Sequence, residues 1–261
     1  MTETREKKPE VLRLEGVSMR FGAVTAIESV DLQIRQGEVV ALLGDNGAGK
    51  STLIKIISGS LQPTGGRYFF DGVERRFSSP HDAKVLGIET VYQDLSICMN
   101  VDVVANFFMG REMVRRVLGI PILREAEMRT ITEDVLKKAG TRIPSVRIDA
   151  EHLSGGQRQA IAVARAVNSN ARILLLDEPL AAMGAREAGL IIDLILRLKA
   201  KGGLSIIMIM HNYAQTLDIA DRVMLMQRGR VTYQREAAST SVEELMDIVR
   251  REYRAMRTMG R

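Results

Sequence analysis

The chain has 261 residues and a mass of 29.0 kDa. At about 150 residues per domain this predicts one large domain, or one domain carrying an insertion, and excludes a small scaffold stapled by disulfides. With 46 % apolar and 26 % charged residues, general disorder is excluded; a charge of +5 (37 basic against 32 acidic residues) permits anionic partners without requiring them, and 4 % aromatic residues with no Trp argue against a base-stacking nucleic-acid binder.

Cys98 is the one cysteine, so no disulfide can form within the chain. The first residues carry no apolar core of the signal-peptide kind, and no run approaches the ~20 apolar residues that cross a bilayer. The sequence predicts a protein kept in a reducing cytoplasm that does not itself span a membrane.

Residues 1–10 are polar and charged and read as a flexible tail. Structure is predicted from Val11. Strand signals follow at 11–14, at 27–34 with apolar Val30, Leu32 and Ile34 alternating, and as a buried run at 39–43, with turns at Gly37-Glu38 and Pro63-Thr64-Gly65-Gly66. Between about 95 and 152 the pattern becomes helical, most clearly at 122–139, where Ile131, Val135 and Leu136 share a face and Gly140 can end the helix. The order then runs helix 154–167, strand 172–176, helix 185–200, strand 204–210 and strand 222–227. Alternating strands and helices predict a mostly parallel α/β sheet. A last helix is predicted from the capping box at Ser241, followed by a basic tail, 250–261, read as a solvated end. Met208, Met210, Met224 and Met226 stand at strand period and are expected in the sheet core.

Gly44-Asp45-Asn46-Gly47-Ala48-Gly49-Lys50-Ser51 follows the buried run 39–43 and precedes an apolar helical segment. This strand, loop and helix order is what a phosphate-binding P-loop needs. Glycines let successive N–H groups turn inward, the helix start adds its dipole, Lys50 reaches the β- and γ-phosphates, and Ser51 offers a hydroxyl to Mg²⁺. A second apolar strand ends in Asp177-Glu178. Asp177 is placed to hold Mg²⁺ from its outer coordination sphere, and Glu178, pointing differently off the strand end, is the candidate general base for water. Leu153-Ser154-Gly155-Gly156-Gln157-Arg158-Gln159 opens another helix with a serine cap and two glycines, a second anion-binding helix start.

With these motifs the chain resembles the nucleotide-binding cassette of ATP-binding cassette (ABC) transporters, over roughly residues 11–235, the signature at 153–159 being the most specific element. The resemblance implies an α/β P-loop NTPase cassette: a mixed β-sheet core, an N-terminal antiparallel β subdomain and a helical subdomain inserted at about 95–152. It divides the chain into a tail (1–10), the cassette (11–240), and a C-terminal helix with the basic tail (241–261).

The same resemblance assigns further residues. Gln93 is similar to the Q-loop glutamine that senses Mg²⁺ and the membrane partner, His211 to the switch histidine on the γ-phosphate, and Phe21 to the aromatic that stacks on adenine. ATP would thus be held by Phe21, by residues 44–52 including Thr52, and by Ser154, Gly155, Gly156 and Gln157 of a second cassette packed head to tail. Mg²⁺ would be held by Ser51, Gln93 and Asp177. Catalysis would fall to Glu178, His211, Gln93 and Lys50. The implied partners are a second cassette, as a homodimer or a mixed pair, an integral membrane permease and, indirectly, an extracytoplasmic sugar-binding protein; no nucleic acid is implied. The implied location is peripheral, on the cytoplasmic face of the cell membrane.

Leu180-Ala181-Ala182-Met183-Gly184 departs from the common T-S-A-L-D, placing glycine where the D-loop aspartate is expected. The variant resembles the A-A-L-G form of monosaccharide-import cassettes, so hydrolysis is expected to survive. Gly87-Ile88-Glu89-Thr90-Val91-Tyr92-Gln93-Asp94-Leu95 and Asn106-Phe107-Phe108-Met109-Gly110-Arg111-Glu112 resemble stretches of ribose-, xylose- and fructose-type import ATPases. The expectation is an ATP-hydrolysing subunit of a simple-sugar importer. A cassette for another solute such as an amino acid, and a soluble non-transport ATPase, are the alternatives. Only 103 residues separate Ser51 from Ser154 (154 − 51), too few for the long coiled coil of chromosome-type ATPases.

Overall fold

The structure is a computed structural model and describes residues 8–181 and 183–259. Residues 1–7 of the expected tail, Ala182 and the last two residues of the chain lie outside the described residues. β1 (Glu10–Phe21) turns at Gly22 into β2 (Val24–Arg35), and the two pair antiparallel from Glu10↔Arg35 to Phe21↔Val24. The alternation at Val30, Leu32 and Ile34 buries all three while Glu28 and Asp31 stay exposed. β3 (Val39–Leu43), buried at every residue, leads through a glycine-rich loop into α1 (Lys50–Ile57). β4 (Gly65–Phe70) and β5 (Val73–Arg75) complete an antiparallel sheet in the order β2-β1-β4-β5.

After α2 (Pro80–Val85) and β6 (Ile88–Val91) comes a segment with α3 (Val103–Phe108), β7 (Val114–Val117), β8 (Ile120–Leu123) and α4 (Glu125–Lys138). The rest alternates: α5 (Gly155–Val167), β9 (Ile173–Leu176), α6 (Ala185–Lys201), β10 (Ser205–Ile209), α7 (Tyr213–Ile219), β11 (Arg222–Gln227), β12 (Arg230–Glu236) and α8 (Val242–Met259). The second sheet has the order β12-β11-β3-β10-β9-β6, parallel throughout except for β12.

Both faces of this sheet are covered, which is why its strands read as unbroken apolar runs. Val40, Leu42, Leu175, Ile207 and Met224 face one core with β1, β2, β4 and α1. Val39, Ala41, Leu174, Ile206 and Met208 face the other with α5 and α6. The four methionines are sheet core as expected, Met208 and Met210 on one side and Met224 and Met226 on the other. A third cluster, around Phe107, Phe108, Leu136 and Ile161, joins α3, α4 and α5.

The structure differs from the sequence reading in two places. Inside the stretch read as helical, residues 114–123 form a β-hairpin, because Leu118 and Gly119 take φ 51° and 82°, the left-handed pair of a tight hairpin turn. The helix predicted at 122–139 therefore starts only at Glu125, since Ile122 and Leu123 belong to β8. At the other end, the segment read as a solvated basic tail continues α8 to Met259.

One nearly buried ion pair ties the two sheets together. Arg222, at the start of β11, donates from Nε to Glu38 Oε1 at 2.7 Å and from Nη2 to Oε2 at 3.1 Å, and also to the Gln33 carbonyl of β2; Glu38 Oε2 in turn accepts from the Arg35 N–H at 2.8 Å. The two side chains are only 11 % and 9 % exposed, so removing one charge strands the other. Glu38→Ala is expected to cost about 3 kcal/mol of stability, measured as a fall in urea midpoint at unchanged slope, whereas Glu28→Ala in the exposed pair with Arg230 should leave the midpoint nearly unchanged. A loss below about 1 kcal/mol in Glu38→Ala would overturn the structural role of the pair.

Candidate functional site

The loop after β3 is shaped by close backbone approach. A Cβ on Gly44 would lie 2.1 Å from the Met226 carbonyl oxygen, and one on Gly49 would lie 2.6 Å from that of Ala26. Both glycines also take left-handed φ, 135° and 100°, as does Gly47 at 81°. The β11–β12 turn closes the ring: Gly229 donates to the Ala48 carbonyl at 3.0 Å, and its own carbonyl accepts from Glu28 N–H at 2.8 Å. Asp45 and Asn46 are exposed on the loop, while Ala48 is buried beneath it.

α1 begins at Lys50 with Gly49 as its cap, and no side chain caps its first turn. The N–H groups of that turn thus present their dipole to the loop. Lys50 is buried, and Nζ donates to the carbonyls of Gly44 at 2.7 Å and Asp45 at 2.9 Å. Burial lowers its pKa, while Glu178, Asp45 and Asp177 oppose the fall. Ser51 Oγ lies 3.4 Å from Asp177 Oδ1, and Thr52 follows on the same turn.

Asp177 and Glu178 leave the end of β9, where the Asp177 N–H donates to the Val91 carbonyl at 3.0 Å. Burial first, then the neighbouring Glu178 charge, raises the Asp177 pKa against the pull of Ser51, Lys55 and Lys50. Glu178 takes φ 54°, a left-handed conformation that turns the chain sharply after Asp177. Its Oε1 lies 2.7 Å from Nε2 of His211. That histidine follows β10, whose end is registered on β3 by the Met210 N–H donating to the Leu42 carbonyl at 3.1 Å. The carboxyl ends of β3, β9 and β10 thus deliver Lys50, Ser51, Asp177, Glu178 and His211 to one place, where ligands bind in open α/β sheets.

The other expected residues stand elsewhere. Gln93 is exposed two residues beyond β6, and Phe21 is exposed at the end of β1 opposite Val24. Ser154 and Gln157 satisfy each other at the start of α5: the serine Oγ accepts from the Gln157 N–H at 3.3 Å, and Gln157 Oε1 accepts from the Ser154 N–H at 3.0 Å. Gln157 Nε2 also donates to the Arg142 carbonyl at 2.9 Å. Gly155 has open space around it, whereas a Cβ on Gly156 would lie 3.0 Å from Glu187 Cβ. Gly184 caps α6 in an extended conformation.

Two contacts were outside the reach of the sequence. Tyr253 of α8 donates its hydroxyl to Asp45 Oδ2 at 3.0 Å, across 208 positions of chain. Arg165 of α5 donates to the carbonyls of Leu95 at 3.1 Å and Ser96 at 3.2 Å. Those two residues follow Gln93 and take φ 59° and 46°. No local signal marks either partner, because each depends on how helices dock.

The glycine geometry gives a graded expectation. Gly44→Ala must push Cβ into a carbonyl, so it should lose about 2–3 kcal/mol, while Gly47→Ala, with φ positive but space free, should lose only about 1 kcal/mol. Chemical denaturation of the two variants measures the difference; equal losses would show that the approach to Met226 does not constrain the loop.

Comparison with known proteins agrees with this architecture. The ABC transporter family model matches residues 27–181. The chain is 43 % identical over 240 residues to the xylose/arabinose import ATP-binding protein of Sulfolobus acidocaldarius, covering 92 % of this chain and 94 % of that protein. It is 38 % identical to the fructose import ATP-binding protein of Rhizobium meliloti, covering 84 % and 86 %. It is 35 % identical to a ribose import ATP-binding protein of Streptomyces avermitilis, of whose length it spans only 45 %. Among solved structures, a component of an ABC transporter complex from Clostridium perfringens superposes with a TM-score of 0.77 at 26 % identity, over 97 % of this chain and all of that one. A nucleotide-free ATP-binding cassette from an ABC transporter gives 0.75 at 27 %, over 92 % and 95 %. From its glycine loop to its signature helix, the chain belongs to the ABC transporter family as an ATP-binding cassette.

Proposed function

We propose that this chain is the ATP-binding and ATP-hydrolysing subunit of an importer for a simple sugar, acting at the cytoplasmic face of the membrane with a separate permease. The observation that carries the ATPase reading is the convergence of Lys50, Ser51, Asp177, Glu178 and His211 at the ends of three parallel strands. The sugar class is supported by the xylose/arabinose, fructose and ribose import proteins to which the chain is similar, two of them along most of their length.

In this reading Lys50 exchanges its two loop carbonyls for phosphate oxygens, and the N–H groups of the loop and of α1 hold the rest of the phosphate chain. Ser51 and Asp177 offer only oxygen donors, the set Mg²⁺ prefers, and supply one carboxylate, leaving positions for phosphate and water. Bound there, Mg²⁺ would neutralise charge between the phosphates. Glu178 takes the proton of the attacking water, and His211, hydrogen-bonded to it, orients the carboxylate and reaches the γ-phosphate. Gln93 joins this site from the loop after β6, and Phe21 stacks on the adenine. Ser154, Gly155, Gly156 and Gln157 close over the ATP of a second, head-to-tail copy, since one chain carries two separate phosphate-binding helix starts. The assembly then consists of two cassettes, a permease and, outside the membrane, a sugar-binding protein.

Two experiments test the site. Lys50→Ala should abolish ATP binding, whereas Glu178→Gln should bind ATP, lose turnover by about 10²- to 10⁴-fold, and elute from gel filtration as an ATP-dependent dimer. Retained turnover in Glu178→Gln would remove Glu178 as the base. Because Asp177 has a raised pKa, its proton competes with Mg²⁺ at a higher pH than an ordinary aspartate proton does. Mg²⁺ affinity should therefore fall as pH is lowered, and the proton-linked stability of the metal-free protein, present at low pH, should be lost as pH rises through that pKa. Mg²⁺ titrations across pH, with Asp177→Asn as the pH-insensitive control, measure this; an unchanged affinity on acidification would overturn it.

A further inference from the structure

The β7–β8 hairpin has no place in the nucleotide site, and its composition is unusual for a solvated element. All eight strand residues are exposed. Val114, Val117, Leu118, Ile120, Ile122 and Leu123 are each more than 40 % exposed. The pairing Val114↔Leu123 and Val117↔Ile120 puts apolar pairs on opposite faces, so neither face is polar. An isolated two-stranded hairpin is marginal in water, and an exposed apolar cluster of this size marks a contact surface.

The tip is the sharpest feature. Leu118 is 98 % exposed and takes φ 51°, a left-handed turn position that asparagine, aspartate or glycine occupies at lower cost. Charge points the same way. Between Met113 and Arg124 there is no acidic residue, and Arg115 and Arg116 form no ion pair or hydrogen bond among the described residues. The base, by contrast, is fixed: the Arg124 N–H donates to the Met113 carbonyl at 2.8 Å, and Arg111 pairs with Glu89 of β6 at 2.6 Å.

We infer that this hairpin is a lipid-binding wedge, which inserts Leu118 and the apolar faces into the headgroup region of an anionic membrane while Arg115 and Arg116 meet lipid phosphates. A partner surface would cover one face of a hairpin, whereas here both faces carry aliphatic side chains with one arginine each, Arg116 beside Val114 and Leu123 and Arg115 beside Val117 and Ile120, and a fluid acyl region with its phosphates surrounds both without needing complementary shape. Four residues per strand at about 3.4 Å each reach about 14 Å, enough for the ~5–10 Å depth of an interfacial element. The cassette would then touch the bilayer directly, in addition to any permease, and this contact is independent of which solute is carried.

Flotation of the purified full chain, with no permease present, tests the inference. Vesicles of phosphatidylglycerol and phosphatidylethanolamine should carry the protein at low salt, and phosphatidylcholine vesicles should not. Arg115→Ser with Arg116→Ser should weaken flotation by about thirtyfold, and Leu118→Asp, which suits the left-handed tip, should abolish most of it. Both variants should keep the thermal midpoint and the ATPase rate of the parent, so loss of lipid binding is distinguished from loss of the nucleotide site. No flotation with anionic vesicles, or flotation unchanged in both variants, would overturn the proposal. So would a hairpin-dependent capture of a membrane protein without any binding to vesicles, which would assign the wedge to a protein partner.

Discussion

The buried ammonium of Lys50 is the constraint around which the rest is arranged. A cation removed from water needs hydrogen-bond partners, and here two carbonyls of its own loop take two of its three N–H donors. They can do so only because the loop curls back on the first turn of α1, which demands left-handed φ at Gly44, Gly47 and Gly49. The curl in turn demands that β11 and β2 come within contact of the loop, since the Met226 and Ala26 carbonyls are its walls. Those walls are placed by the sheet order, with β11 beside β3. Satisfaction of one charge therefore runs through the loop to the topology.

The sheet's two-sided burial explains why that topology is stable enough to hold strained and desolvated groups. β3, β9 and β10 have no exposed residue, and their alternate side chains feed two separate apolar clusters. Rigid strands of this kind deliver Asp177 and His211 in register, and Glu178 can then adopt a left-handed backbone without the site collapsing. The negative pair at the end of β9 offsets the neighbouring ammonium only in part, because desolvation still lowers Lys50 and raises Asp177. Polyphosphate with its cation is chemically complementary to this arrangement: anionic oxygens for the lysine, a hard cation for the aspartate.

Much of this was legible in the sequence because it rests on local rules. The apolar runs at 39–43 and 173–176, the glycine spacing at 44–49 and the capping pair Ser154 and Gln157 each encode their own conformation, and the structure has strands, loop and cap at those positions. The hairpin at 114–123 was not legible, since its alternation is short and the turn signal, Leu118-Gly119, lacks the usual asparagine or aspartate. The continuation of α8 was hidden for a different reason. Arg250 to Arg261 reads as a basic tail, yet Tyr253 within that stretch binds Asp45, a contact made by tertiary docking alone. Likewise the role of Arg165 depends on the distance between α5 and the loop after β6, which no periodicity reports.

That last contact has a mechanical consequence. Arg165 stands on the same helix as Ser154–Gln157, about three turns from its start. Its guanidinium holds the carbonyls of Leu95 and Ser96, two successive non-glycine residues in left-handed conformations, two and three positions after Gln93. Such conformations cost free energy and persist only where surrounding bonds over-determine them. The helix that carries the signature and the loop that carries Gln93 are thus one unit through this arginine. A displacement of α5 must either carry the loop with it or release two charge-assisted bonds and let Leu95 and Ser96 relax. The link between the two segments is in this sense a strained turn, held locally by the Leu95 N–H on the Tyr92 carbonyl and the Ser96 N–H on Asp94 and tied to α5 by Arg165, rather than any contact between Gln93 and Ser154–Gln157 themselves.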